Sequence, residues 1–343
     1  MEIISSPYFL PIAVQEETQP GSARREAARL AALEGMPEAD VGRVSIVVTE
    51  AAKNLIKHGH GGEVLLRGCS HEGSCTLDML ALDKGKGMAD VAACLRDGYS
   101  TAGTPGTGLG AMQRLSDFLE IYSVPNAGTV VHCRIEAGKK QAGQTLSRME
   151  SGIVVVPVVG ETKCGDSWAQ YLTQTHSVYM VVDGLGHGVG AAEAADEAVA
   201  SFHRLESVNP LDILDEAHHA LRKTRGAAMS VASIDHNLGK VRFAGVGNVS
   251  AMVITPSKMH SMVSHNGIVG HSAARIQDFT YDWPHGATLA MYSDGIGSHW
   301  NLAKYPGVQS RSPLLAAAVV YRDHSRRRDD ATVLIARERA ARN

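Results

Sequence analysis

Three apolar runs in this chain end on an aspartate with a glycine one or two places further on. Residues 75–82 lead into Asp83 and Gly85, residues 178–182 into Asp183 and Gly184, and residues 287–292 into Ser293, Asp294 and Gly295. Runs of this length read as buried strands, and glycine lets the chain turn sharply straight after the acid. Asp166, directly after Gly165, and the pair Asp329-Asp330 add further acids at turns. The pattern predicts sheets that deliver carboxylates to their edges. Clustered carboxylates repel one another unless cations neutralise them.

The chain has 343 residues, a length that suggests two or three domains. Residues 136–150 are polar, centre on Gly138-Lys139-Lys140-Gln141-Ala142-Gly143 and have no apolar period, so a linker is expected over 137–150. The expected domains are therefore 1–136 and 151–343. In the first, a helix is expected over 22–33 with Ser22 as its N-cap, and a second starts near Pro37. In the second helix Val44, Val47, Val48, Ala51 and Leu55 form an apolar stripe, with Glu50 and Asn54 one turn apart beside it. Strands are expected at 63–67, 75–82, 118–124 and 129–135, the last two joined by a turn-rich hairpin connection. The second domain reads as many short strands around two helices, 191–205 and 211–222, an α+β arrangement.

The first half can meet the needs of ATP. Asp83, at a strand end, can accept from the adenine amino group, and Gly85 and Gly87 let the backbone approach a flat base. Gly106, Gly108 and Gly110 free backbone N–H groups at a helix start, where the dipole favours anions. Asn54 can offer an amide oxygen to magnesium, and Glu50 can take a proton from an attacking hydroxyl. No Gly-Lys-Ser or Gly-Lys-Thr follows the glycines, so a Walker P-loop is excluded. The glycines follow no strand of a βαβ unit, so a dinucleotide fold is excluded too. In the second half, Asp166, Asp183, Asp294 and Asp329 offer the hard oxygen ligands that select magnesium or manganese. Two such ions can activate a water and clamp a phosphoryl group.

These residues carry two family resemblances. Glu50–Asn54, Asp83–Met88 and Gly106–Gly110 resemble the GHKL ATPases, most closely the RsbT-type switch kinases and anti-sigma factors. Asp97-Gly98-Tyr99-Ser100-Thr101 resembles the lid of those kinases, and Gly128-Thr129 the final strand motif in which the threonine supports the adenine-binding aspartate. The resemblance implies an N-terminal Bergerat α/β sandwich binding ATP and Mg2+. It also implies phosphorylation of a serine or threonine on a STAS-domain antagonist. Asp183–Gly188, Phe243–Asn248, Ser293-Asp294-Gly295 and Asp329–Thr332 occur in the order of the PP2C phosphatases and are similar to the SpoIIE/RsbX branch. That implies a C-terminal αββα sandwich holding two Mn2+ or Mg2+ ions. The ligands would be Asp183, the Gly184 carbonyl, Asp294 and Asp329, with Asp166 at the early acidic position and Asp330 behind them. Leu185 stands where eukaryotic relatives have a proton-donating histidine, so His187 is not assigned that role.

The expected function is a bifunctional partner-switching regulator: ATP-dependent phosphorylation of a STAS protein by one half, and metal-dependent dephosphorylation of a phosphoprotein by the other. The alternative makes the first half a nucleotide-dependent binding module without kinase turnover. Expected partners are an anti-anti-sigma or stressosome-type STAS protein, with a sigma factor, a further phosphatase or a second copy of the chain left open. A net charge of −3 and no extended basic stretch exclude a nucleic-acid partner. No stretch reaches the roughly 18 apolar residues of a membrane helix. Five cysteines without a CxxC pair and an N-terminus without a basic leader lead to an expectation of a cytoplasmic protein with reduced thiols.

Overall fold

The computed structural model describes residues 2–4, 8–71, 73–95, 108–138, 147–273 and 276–339. In chain order the first elements are β1 (Glu2–Ile4), β2 (Leu10–Val14), α1 (Gln19–Leu33), α2 (Glu38–Gly59), β3 (Gly62–His71), β4 (Ser74–Asp83), α3 (Val91–Cys94), α4 (Gly108–Leu115), β5 (Phe118–Ser123) and β6 (Thr129–Gly138). The second half contributes β7 (Met149–Val156), β8 (Asp166–Leu172), β9 (His176–Gly184), α5 (Val189–Leu205), α6 (Pro210–Ala220), β10 (Ala227–Asp235), β11 (Lys240–Val246) and β12 (Ser250–Ile254). After these come β13 (Met259–Ser261), β14 (Gly267–Ile268), β15 (Ser272–Ala273), β16 (Phe279–Asp282), β17 (Thr288–Tyr292), α7 (Pro313–His324) and β18 (Ala331–Glu338).

The chain divides into two compact units that do not follow chain order. One comprises Phe9–Gln144 with Pro306–Arg322, the other Met1–Tyr8, Thr145–Tyr305 and Asp323–Asn343. Boundaries drawn at 136 and 151 separate the bulk of the two units. They place two short segments by their position in the chain rather than by their contacts. The strands also reach into the interval expected as linker: Ala137 and Gly138 pair with Cys75 and Ser74, and Met149 and Glu150 pair with Glu338 and Arg337.

The first unit is an antiparallel sheet in the order β2-β3-β4-β6-β5 with α1, α2 and α4 packed on one face. The stripe Val44, Val47, Val48, Ala51 and Leu55 is buried against Val64, Leu66, Leu77, Met79, Ala81 and Val131. Alanines at 23, 27 and 31 recur every helical turn on α1, and all three are fully buried in the same core. Helix α1 starts earlier than expected, with Thr18 as N-cap, because Pro20 fills a first-turn position that needs no N–H. Pro37 caps α2 rather than opening it. Pro306–Arg322 joins this unit: Glu120 of β5 accepts from the Ser312 amide at 3.1 Å, and Arg322 Nη1 donates to the Asp83 carbonyl at 3.2 Å. Helix α7 has no polar stripe. Its residues from Pro313 to Arg322 are all buried, the pattern of a helix enclosed on every side.

The second unit stacks two antiparallel sheets, β1-β8-β9-β10-β11-β16 and β13-β12-β17-β18-β7. Strand β9 explains why its sequence is continuously apolar. Tyr179 and Val181 enter the core between the sheets, while Val178, Met180 and Val182 enter a second core under α5 and α6. Both faces are covered, so the polar alternation of a half-exposed strand is lost. The N-terminal strand β1 pairs with β8 at the edge of the first sheet. Among the described residues, no helix is long and apolar enough to cross a membrane.

Candidate functional sites

In the first unit, β4 ends on Asp83 and the next residues fold back over it. Asp83 Oδ1 accepts from the Gly85 amide at 2.8 Å and from the Thr129 amide at 3.2 Å. Thr129 thus supports the carboxylate through its backbone, while its hydroxyl meets Ser123 Oγ at 2.9 Å. Ser123 also accepts from the Met88 amide at 2.7 Å, which ties the 84–88 turn to the end of β5. Burial raises the Asp83 pKa, against the opposing pull of the Gly85 amide, Arg322 and the Thr129 amide. Helix α2 packs close to this point: a Cβ on Gly59 would lie 2.7 Å from Asp83 Cβ, and one on Gly85 would strike the His58 carbonyl. Gly87 has φ +64°, and a side chain there would strike the Val124 carbonyl.

Glu50 and Asn54 face the start of α4. A Cβ on Gly108 would lie 3.0 Å from Glu50 Oε2 and 3.8 Å from Asn54 Oδ1. Glu50 Oε1 accepts from Lys53 at 2.9 Å. Gly110 is buried within α4. Gly106 and the lid stretch 97–101 lie outside the described residues.

In the second unit the acids arrive from separate strands. Asp166 opens β8 and is the Cα partner of Asp183 near the end of β9. The neighbouring ladder continues with Asp183 opposite Ala228 and Gly184 opposite Ala227. Gly184 packs so tightly on α5 that any Cβ would strike the Ala191 carbonyl. Asp294 follows β17 and accepts from Asn248 Nδ2 at 2.6 Å. Ser293 is fully buried; its hydroxyl donates to Asp166 at 2.6 Å and accepts from the Thr332 amide at 2.9 Å. Asp330 is buried and its carboxylate accepts from the Val158 and Gly165 amides, both at 2.7 Å. Asp329 accepts from the Asp330 amide at 2.9 Å.

Burial pushes Asp183 well above the ordinary carboxylate range, and the charges of Asp166, Asp294, Asp329 and Asp330 all push it further. Asp166 is raised by burial and by Asp330 and Asp329, against the Ser293 hydroxyl. Asp294 is raised by burial and Asp329, and lowered by Asn248 and Arg326. Such repulsion is what bound cations relieve. Among the described residues, however, no three His, Cys, Asp or Glu side chains form a ready-closed ion cage. Asp166 and Asp183 stand opposite each other in the β8–β9 ladder, and Ser293, Asn248 and backbone amides occupy part of the acids' acceptor capacity.

His187 pairs with Glu161 at 2.7 Å, which gives it a structural partner. Sequence reasoning quoted Ser293 and Asn248 inside motifs without roles, and missed Ser123, Glu161 and Arg225 altogether. Of those three, Glu161 follows Gly160, Arg225 precedes Gly226 without an acid beside it, and Ser123 has neither as a neighbour.

One unit thus has the architecture of a nucleotide-binding sandwich and the other that of a carboxylate-edged phosphatase sandwich. Residues 13–135 match the histidine kinase-like ATPase domain family and residues 173–339 the stage II sporulation protein E (SpoIIE) family. The chain belongs to the histidine kinase-like ATPase family through its first unit, and over residues 173–339 it is similar to the SpoIIE family. It is 31% identical to the serine/threonine-protein kinase RsbT of Bacillus subtilis (strain 168) over 110 residues, 32% of this chain and 83% of the relative. It is 23% identical to the phosphoserine phosphatase RsbX of the same organism over 138 residues, 40% of this chain and 69% of the relative. A solved chain described under "The bacterial stressosome: a modular system that has been adapted to control secondary messenger signaling" superposes with a TM-score of 0.52 at 27% identity. That match covers 56% of this chain and all of that one.

Proposed function

We propose that this chain is a bifunctional partner-switching regulator. Its first unit phosphorylates a serine or threonine on a STAS-domain, stressosome-type protein, and its second removes a phosphoryl group from a phosphoserine or phosphothreonine protein. The observation that carries the reading is the placing of Asp166 opposite Asp183 in the β8–β9 ladder, with Ser293 bonded to Asp166 and Asp330 bonded to the Gly165 amide beside it, in a chain whose other unit is similar to RsbT.

In the kinase half, Asp83 accepts from the adenine amino group, and Gly85 and Gly87 give the base a flat backbone surface. Asn54 offers its amide oxygen to Mg2+, and Glu50 takes the proton of the attacking hydroxyl. Gly108 and Gly110 receive the phosphates at the start of α4, and Gly106 belongs to the same glycine cluster in the sequence. In the phosphatase half, Asp166, Asp183, Asp294, Asp329 and the Gly184 carbonyl would hold two Mn2+ or Mg2+ ions. Their donor chemistry suits hard cations. Such ions, when bound, make a water acidic near neutral pH and neutralise phosphoryl oxygens. Ser293 fixes Asp166, Asn248 fixes Asp294, and Asp330 ties the Val158 and Gly165 amides into the same floor. The net reaction adds water across the phosphoester, giving a free hydroxyl and inorganic phosphate.

The test uses the intact chain, γ-labelled ATP with Mg2+, and a STAS-domain protein. The wild type transfers label, Glu50→Ala does not while still binding nucleotide, and added Mn2+ releases inorganic phosphate from the labelled protein. Absence of transfer by the wild type to any STAS protein leaves the first unit as a nucleotide-dependent binding module. Undiminished Mn2+-dependent hydrolysis by Asp183→Asn would remove that residue from the metal set.

A further inference from the structure

We propose that Arg225 is the residue that binds the substrate's phosphoryl group in the second unit, an inference that rests on the phosphatase reading above. Arg225 lies in the turn before β10, next to the carboxylate edge. The Leu185 amide donates to the Gly226 carbonyl at 3.0 Å, and Ala227 and Ala228 pair with Gly184 and Asp183. Its guanidinium rests along the loop that leads from Asp183 to α5. A Cβ on Gly190 would lie 2.6 Å from Nε and 2.8 Å from Cζ, and one on Gly186 would lie 3.4 Å from Nη1. Gly186 of that loop and Gly190 in the first turn of α5 therefore leave the space the guanidinium occupies.

Arg225 is exposed, and among the described residues no carboxylate or other hydrogen-bond acceptor is paired with it. Glu161, from the segment between β7 and β8, is taken by His187 of that loop instead. A guanidinium held in place by shape yet without an anionic partner keeps its donors for a ligand. Its planar fork matches two oxygens of a phosphate. The position also has an electrostatic rationale. Five acids on this edge repel a phosphate dianion, and a cation at the rim offsets that repulsion. Arg326, by contrast, acts on Asp294 and lowers its pKa, so its charge is already engaged.

The experiment compares Arg225→Ala and Arg225→Lys with the wild type in the full chain. Calorimetry measures Mn2+ affinity and then inorganic phosphate affinity in excess Mn2+, and steady-state assays follow p-nitrophenyl phosphate. Arg225→Ala should weaken phosphate binding and raise KM by about 10- to 100-fold, with Mn2+ affinity and melting temperature unchanged. Arg225→Lys, which keeps the charge without the fork, should fall between. Wild-type phosphate affinity in Arg225→Ala overturns the proposal, as does a parallel loss of Mn2+ and phosphate binding, which would make Arg225 a support of the loop. If the wild type hydrolyses nothing, the phosphatase reading fails, and the phosphate titration still decides Arg225. Absence of phosphate binding in the wild type overturns both.

Discussion

Replacing Asp83 by asparagine separates the two jobs its carboxylate performs. Oδ1 is committed to the Gly85 and Thr129 amides at 2.8 and 3.2 Å, which leaves Oδ2 for the adenine amino group. Asparagine keeps one oxygen. If that oxygen stays on the two backbone amides, the fold is preserved and an NH2 group takes the ligand-facing place, donor against donor. If the amide flips, the ligand contact returns but both backbone donors lose their acceptor. The close packing of Gly59 and Gly85 around this side chain restricts larger rearrangements. A hydrogen bond to a charged group is worth about 1.5–3 kcal/mol, so Asp83→Asn should weaken nucleotide binding by about 10- to 150-fold. Folding stability should stay within about 0.5 kcal/mol of wild type. Calorimetric titration with ATP and Mg2+ reads the first quantity and thermal melting the second. Wild-type affinity in Asp83→Asn would show that the base is not held here. A large fall in melting temperature would show that affinity is lost through unfolding.

Two further predictions concern buried supports. Asp78 is 4% exposed and accepts from His132, Arg134 and Arg67; burial alone would raise its pKa, yet these partners hold it well below the ordinary range. Arg134 is partly exposed and counts for less, so Asp78→Asn should cost about 2–4 kcal/mol, mainly through Arg67. Because the folded-state pKa is depressed, the wild-type contribution is present at neutral pH and lost as pH falls below about 4. Melting curves of the mutant should lack that part of the acid limb, and an identical acid profile would refute the assignment. Ser293→Ala strands the buried Thr332 amide and removes a donor to Asp166, a cost of about 2–4 kcal/mol for the second unit. Chemical denaturation measures it, and a change under 0.5 kcal/mol would mean that another donor takes over.

The local signals were legible because they arise between residues a few positions apart. The stripe on α2 and the runs ending on Asp83, Asp183 and Asp294 fixed most strands and the direction of their acids. Helix starts were read less well: Pro20 and Pro37 each shifted a boundary, because Ser22 and Pro37 satisfy more than one capping pattern. The glycine-acid turns drew attention to the acids, but not to how they are held. Ser293 reaches Asp166 across 127 positions, and Asp330 reaches Gly165 across 165. No period or spacing encodes such a pair.

The sequence by itself determined the two family resemblances and the strands that deliver the carboxylates, since backbone preference and apolar period are properties of short stretches. Only the tertiary structure decided that β1 completes the sheet of the second unit and that Pro306–Arg322 belongs to the first. It alone also placed the Arg225 guanidinium against Gly186 and Gly190. Those outcomes depend on which surfaces find complementary packing once distant segments meet, and the burial that rewards such a meeting exists only in the assembled core.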